Sequence, residues 1–394
     1  MKLLKSLTNP TRWPRGATLV LITVLSFATM PAMADDPIRI GAVKSLTGPA
    51  SYIGGPQGNT LELMVDQINQ EGGLLGRELE LVLYDDATNP ERARTMMQRL
   101  LTQDRVVAVI GASLTPTTLA MEPLAARHGI LMISQAGSRV VVSPVRKWLF
   151  AVPESEELVA NETYGHMVQN GIRKIALLSS TAGFGRSARQ TYLEAAEKYD
   201  GIEVVMDETY AKGDSDMTAQ LTRIRGRAEV QAIILLDVGN EPAIIARNHA
   251  ALGIKVPLYS THGLAAPEFP ALAGLAAEGM RIPSPAMLVA EQLPKGSMER
   301  DLGMAFRKLY QDRYGSEPNT FAGYAHDALL LLVDAIRRAG SIDPATIRDA
   351  LEQTRDLVGV SRSYTYGPDN HGGLYEESGM RIVEIRNGGF VLID

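Results

Sequence analysis

Short runs of β-branched and aliphatic residues alternate along the chain with longer stretches in which apolar residues return every three or four positions. Val106-Val-Ala-Val-Ile110 reads as a strand buried on both faces of a parallel sheet, and Gly111-Ala-Ser-Leu-Thr115 breaks it. Thr115 followed by Pro116 predicts a helix N-cap with proline in the first turn. Leu119, Met121, Leu124 and Ala125 then carry the helix to His128-Gly129. Ile130–Ser134 is the next strand, and it opens into Gln135-Ala-Gly-Ser138.

The same rhythm holds on either side. Ile38–Val43 and Leu79–Tyr84 read as strands, with helices through Leu61–Ile68 and Met96–Leu101. After Pro153 a helix from Ser155 to Asn170 leads into strands at Lys174–Leu178, Ile202–Val205, Ala232–Leu236 and Val256–Tyr259. Helical segments around Met217–Ile224 and Pro242–Leu252 separate them. Helices dominate from Ser297 to Leu357, and strands return near Ser363–Tyr366, Met380–Ile385 and Gly388–Ile393. Such alternation predicts an α/β chain built as two doubly wound, Rossmann-like lobes, each with a mostly parallel sheet between layers of helices.

In that architecture small ligands bind outside the carboxyl ends of the strands, where helix N-termini offer free N–H groups to an anion. The loops at Ser113–Thr115 and Ala136–Ser138 would form one polar crevice suited to a carboxylate. Each hydroxyl has a local alternative: Thr115 as a helix cap, the serines as turn residues.

Composition narrows the class. At 394 residues, 45% hydrophobic and 21% charged, the chain is ordinary globular protein with room for two domains. Lys2, Lys5, Arg12 and Arg15 precede an apolar run from Ala17 to Met30 and an Ala32-Met-Ala34 cleavage signal, so residues 1–34 read as a secretory signal peptide. The apolar run is too short to span a membrane. The formal charge of −6 becomes more negative without the basic leader, which disfavours nucleic acid and anionic membrane surfaces as partners. With no cysteine there is neither a disulfide nor a thiol for lipid attachment, and stability must come from the size of the core. A freely diffusing protein of a bacterial periplasm fits.

Motifs for covalent chemistry are weak. Gly183-Phe-Gly-Arg-Ser-Ala188 has the G-x-G-x-x-A form of a dinucleotide turn, but Ser179–Ala182 separate it from its strand and an exported protein meets no dinucleotide pool. It reads better as a ligand-facing turn. The histidines at 128, 166, 249, 262, 326 and 371 form no H-E-x-x-H or H-x3-H pair, so neither zinc nor any other cofactor is implied. No G-x-S-x-G elbow occurs. Asp85-Asp86 terminates a strand rather than holding a metal. His262, in Tyr259-Ser-Thr-His-Gly263 at a strand's end, is either a plain loop residue or a side chain reaching into a cleft.

Several segments in order carry a resemblance: Ser45-Leu-Thr-Gly-Pro49, Asp66-Gln-Ile-Asn69 before Gly72-Gly73, Asp85-Asp86, Val109-Ile-Gly111 and Gly129-Ile-Leu-Met-Ile-Ser134. From Ile38 onward the chain resembles the type I periplasmic solute-binding proteins of branched-chain amino-acid ABC transporters, such as the leucine/isoleucine/valine-binding protein. The resemblance implies a receptor rather than an enzyme, two lobes joined by a three-stranded hinge, and delivery of ligand to a permease in the inner membrane. Residues 35–153 plus 284–364 would form the N-terminal lobe and residues 154–283 plus 365–394 the C-terminal lobe, with crossovers near Pro153, Pro283 and Tyr366. It also implies ligand contacts at Ser113, Leu114, Thr115, Ala136, Ser138, Phe184 and Asn240. Amino-acid binders of this class place a glutamate, which pairs with the ligand ammonium, where this chain has His262. A histidine cannot supply that charge, and a buried unpaired ammonium costs roughly 3–5 kcal/mol. An α-amino acid is therefore not the expected ligand, and the Thr261-His-Gly263 turn, Pro368-Asp-Asn-His-Gly372 and the Glu384-Ile-Arg-Asn-Gly-Gly-Phe390 ending resemble the relatives that take up aromatic carboxylates. That resemblance implies an aromatic or 2-oxo acid, with its acid on Thr115 and Ser138, its ring near Phe184 and Tyr52 or Phe321, and an oxygen near His262. A branched-chain amino-acid binder, and an exported enzyme or sensor subunit on the same scaffold, are the alternatives.

Overall fold

A computed structural model describes residues 36–373 and 380–393; the expected signal peptide lies outside them. The chain opens as β1 (Ile38–Lys44), α1 (Ser51–Gln70), β2 (Leu79–Asp85), α2 (Pro90–Arg99), β3 (Ala108–Gly111), α3 (Thr115–His128), β4 (Leu131–Ser134), a short α4 (Arg139–Val142) and β5 (Leu149–Ala151). These strands form an all-parallel sheet in the order β2-β1-β3-β4-β5. Successive side chains on a strand face opposite ways, and both faces here are apolar. Ile40, Ala42, Ile110 and Ile133 enter one core, while Val43, Val109 and Met132 enter the other with Met97 of α2 and Met121 of α3. The close approach of β1 to β3 requires glycine at 111, where a Cβ would stand 2.6 Å from the Val43 carbonyl oxygen.

The chain then crosses through Pro153 into α5 (Glu156–Gln169), capped by the Ser155 hydroxyl. β6 (Lys174–Ser180), α6 (Gly183–Lys198), β7 (Glu203–Tyr210), α7 (Thr218–Arg225), β8 (Ala232–Leu236), α8 (Glu241–Ala251), β9 (Leu258–Ser260), α9 (Glu268–Ala273) and β10 (Arg281–Pro285) follow. The expected strand Ile202–Val205 continues five residues further, to Tyr210, at the edge of the sheet. Its polar residues Asp207 and Glu208 are taken up there by Arg189 and Arg223.

After β10 the chain returns to the first lobe as α10 (Met298–Tyr314), α11 (Thr320–Ala339) and α12 (Pro344–Glu352), then a small hairpin, β11 (Leu357–Val358) with β12 (Ser363–Tyr364). α11 lays Leu329, Leu332, Val333 and Ile336 over the face of the first sheet and packs along α1. β13 (Met380–Arg386) and β14 (Gly389–Leu392) complete the second sheet, in the order β14-β13-β10-β9-β8-β6-β7. Its strands are parallel from β7 to β10, and β13 and β14 are antiparallel.

The last crossover comes later than the sequence suggests. Residues 365–373 were expected in the C-terminal lobe, but Tyr366 donates its hydroxyl to the Ala151 carbonyl, and the His371 ring stacks on Phe150 at 3.8 Å. Aromatic packing on β5 therefore keeps this segment with the first sheet, and the chain is next described in the second sheet, as β13 from Met380.

Candidate functional site

The carboxyl ends of the two sheets face each other, and between them lies a cavity of about 350 Å³. The loops after β3 and β4 line it from the first lobe, and those after β6, β8 and β9 from the second. In each sheet the cavity includes the place where the strand order reverses, β1/β3 in one and β6/β8 in the other, so connections leave in opposite directions and open a crevice.

Two helix N-termini open onto this space, one from each lobe. On the first-lobe side, Thr115 does not cap α3 as its position before Pro116 suggests. The cap residue is Leu114, and the Thr117 hydroxyl accepts from its N–H (3.3 Å) and donates to its carbonyl (3.0 Å). Thr115 thus lines the cavity, its hydroxyl making no hydrogen bond among the described residues. On the other side, α6 starts at Gly183 with no side-chain cap. A Cβ at Gly185 would stand 2.4 Å from the Ser180 carbonyl oxygen and 3.0 Å from that of Leu236. The glycine pattern expected to form a ligand-facing turn therefore packs the helix end onto its sheet, while Phe184 lines the cavity.

Ser113 also lines the cavity, but its hydroxyl donates to Gln57 Oε1 at 2.6 Å and accepts from the Ser45 amide at 3.2 Å. Its hydrogen is spent on fixing the loop, so it is not a free donor. Asp85 and Asp86 serve the neighbouring loop. Asp85 accepts from the amides of Leu46, Thr47 and Ala87, and Asp86 accepts from the Ser45 hydroxyl and the Thr88 amide.

His262 follows β9 and is almost fully buried against Phe184, ring centroids 6.4 Å apart. It reaches across to the first lobe: a Cβ on Gly137 would stand 2.9 Å from its Nε2. Burial with no compensating charge pushes its pKa down to about 4, so the ring is neutral at pH 7. Its Nδ1 is buried without a partner among the described residues.

The structure thus brings Ser113, Leu114, Thr115, Ala136, Phe184, His262 and Phe321 to one cavity. It does not bring the other expected residues there. Ser138 is not among the lining residues: its hydroxyl donates to Ser187 on α6 at 2.8 Å, a bond between the lobes. Ser187 in turn donates to Glu156 at 2.6 Å, which also accepts the Arg139 amide at 3.0 Å. Tyr52 and Asn240 line smaller adjoining pockets, Tyr52 standing edge-on behind Phe321 at 6.0 Å.

Sequence reasoning missed Gln135, Tyr324, Lys212 and Asp237, which also line the cavity. Tyr324 gives its hydroxyl to the buried Glu154 at 2.6 Å and leaves its ring to the wall. Lys212 donates to Glu241 (2.8 Å), the Val238 carbonyl (2.6 Å) and Asp237 (3.3 Å), and Asp237 also accepts the Tyr210 hydroxyl at 2.8 Å. Asp237 thus already has a cation beside it, shared with Glu241. No local pattern announces these residues, because their partners lie on other elements.

The geometry agrees with what known proteins show. The profile of a family described as "Periplasmic binding protein" matches residues 37–389. A leucine-, isoleucine-, valine-, threonine- and alanine-binding protein of Pseudomonas aeruginosa is 27% identical over 334 residues, 84% of this chain and 86% of that one. An extracellular ligand-binding receptor from Rhodopseudomonas palustris HaA2 superimposes with a TM-score of 0.83 at 27% identity, covering 91% of this chain and all of that one. The branched-chain amino acid transporter substrate binding protein LivJ of Streptococcus pneumoniae shares the fold at 24% identity, with a TM-score of 0.78 over 91% of this chain and 100% of its own. Among the described residues no helix is long and apolar enough to cross a membrane. With its two facing α/β lobes and ligand-sized cleft, the chain belongs to the periplasmic binding protein family, as a type I member of the Leu/Ile/Val-binding-protein-like group.

Proposed function

We propose that this protein is the receptor of an ABC importer for a small carboxylate with an apolar, aromatic body, delivered to a permease in the inner membrane. The observation that carries the reading is the pairing of two uncapped helix N-termini from opposite lobes across a largely apolar cavity. The acid group would lie at the start of α3, taking the Thr115 hydroxyl and free amides. The ring would lie between Phe184 and Phe321, with a 2-oxo or ring oxygen at the neutral His262. Ligand contacts made from both lobes favour the closed arrangement, with Pro153 and Pro285 among the crossovers about which the lobes open.

A second reading, an amino-acid receptor, is favoured by Asp237, the acidic residue lining the cavity, and by relatives that bear amino-acid-binding names. It requires an ammonium to displace Lys212 from that carboxylate. A thermal-shift panel separates the two. Phenylacetate, 4-hydroxybenzoate or phenylpyruvate at about 100 times its Kd should add roughly 2.7 kcal/mol of stability. A shift with leucine, isoleucine or valine, and none with the aromatic acids, would overturn the aromatic reading in favour of the second.

A further inference from the structure

Gln135 directly follows β4 and stands between the loops after β3 and β4, its backbone N–H bonded to the Ala112 carbonyl at 3.2 Å. Its side chain is 3% exposed and lines the cavity. Directly beneath lies Lys44, the last residue of β1, wholly buried, with its Nζ donating to Gln135 Oε1. Burial lowers the Lys44 pKa well below its ordinary value, and in either state the amine donates to Oε1, so it is the carbonyl end of the amide that faces it. The NH2 end is thereby turned away from Lys44, and Nε2 is buried with no acceptor among the described residues. A buried donor without an acceptor is costly to keep. Gln57 is a useful contrast: its Nε2 is also unpaired, but that side chain does not line the cavity.

We infer that Gln135 is a ligand-binding residue whose Nε2 donates to an oxygen of the bound acid, and that Lys44 is a positioning residue that fixes which end of the amide meets the ligand. The inference rests on the receptor reading in taking a carboxylate as the occupant, but it does not depend on the aromatic body. The buried lysine then works on the ligand through a neutral amide.

The test is isothermal titration of the full chain with phenylacetate, 4-hydroxybenzoate, phenylpyruvate and leucine. For whichever probe the wild type binds, Gln135→Leu should weaken binding about 10- to 100-fold. Gln135→Glu, equal in shape but presenting an oxygen where the N–H was, should weaken it at least as much. The Gln135 side-chain NH2 resonances, identified by their loss in Q135L, should move on ligand addition in the wild type and stay still in Lys44→Met. If K44M does not fold, the two Gln135 variants and the wild-type resonances decide. Affinity within twofold of wild type in Q135L or Q135E, or resonances unmoved by a bound probe, would overturn the inference. Binding of leucine alone would sink the aromatic reading while leaving this one to the variants; binding of no probe would sink both.

Discussion

Replacing Glu156 by glutamine should make the protein markedly acid-sensitive, although it removes a buried charge. Glu156 begins α5 almost fully buried, and burial raises its pKa from the ordinary 4.5 to about 7 against the pull of the Ser187 hydroxyl and the Arg139 amide. Between pH 7 and 4.5 the folded protein therefore binds more protons here than the unfolded chain. Stability from this group is complete below 4.5 and lost as pH rises through 7. His262 has the opposite sign. Burial lowers its pKa from 6.5 to about 4, so its contribution is complete above 6.5 and lost as pH falls toward 4. Each gap, at about 1.4 kcal/mol per tenfold change in proton affinity, amounts to about 3 kcal/mol.

Over pH 4.5 to 6.5 the two nearly cancel in the wild type, and Glu156→Gln removes one side of that balance. Urea unfolding at several pH values between 4.5 and 7.5 measures it, with E156Q compared with wild type so that every other titrating group drops out. Relative to wild type, E156Q should lose about 3 kcal/mol on going from pH 7 to 4.5. His262→Gln should show the mirror image, and the double variant should run parallel to wild type. A difference curve for E156Q flat to within about 0.5 kcal/mol would refute the reasoning.

The remaining predictions are simpler. Phe184→Ala should lower affinity for an aromatic acid probe by 1–3 kcal/mol, read by titration, while unfolding stability changes less. Ser187→Ala cuts the bridge from Ser138 to Glu156 and should raise the apparent Kd severalfold, mainly through a faster off-rate measured by stopped flow. Gly185→Ala forces a Cβ against two backbone carbonyls and should cost 1–3 kcal/mol or more in urea unfolding. Asp85→Ala strips the acceptor from three backbone amides and the Thr47 hydroxyl and should cost about 1–3 kcal/mol, with weakened ligand binding as the loop after β1 loosens.

The central strands were legible because their cores are local in sequence: Ala232–Leu236 is a strand at the residues its β-branched run predicts. The two-lobed α/β fold follows from that alternation. The apolar pattern of the edge strand β7 stops short of its end because its outer half is polar and relies on Arg189 and Arg223 from elsewhere. Thr115 was a reasonable cap by position, and only the Thr117 hydroxyl, two residues on, releases it for the cavity. Ser138 had the right chemistry in the right loop, but its nearest partner lies on the opposite lobe, a fact no local pattern contains. Gln135 and Lys44 are invisible for the same reason, being 91 residues apart in sequence.

The late return of the chain has a consequence for how the protein is made. The sheet that carries the first half of the cleft is laid down by residue 151, yet the helix that covers its face, α11, begins only at residue 320. Until then Ile40, Ile110 and Ile133 have α1 on that side but not the Leu329, Leu332 and Ile336 that complete their core. The second sheet, likewise, is unfinished before Met380. Neither half can reach its native state from an N-terminal fragment. A chain cut after Pro285 should therefore collapse into a sticky, protease-sensitive form, and folding of the whole must wait for the final hundred residues.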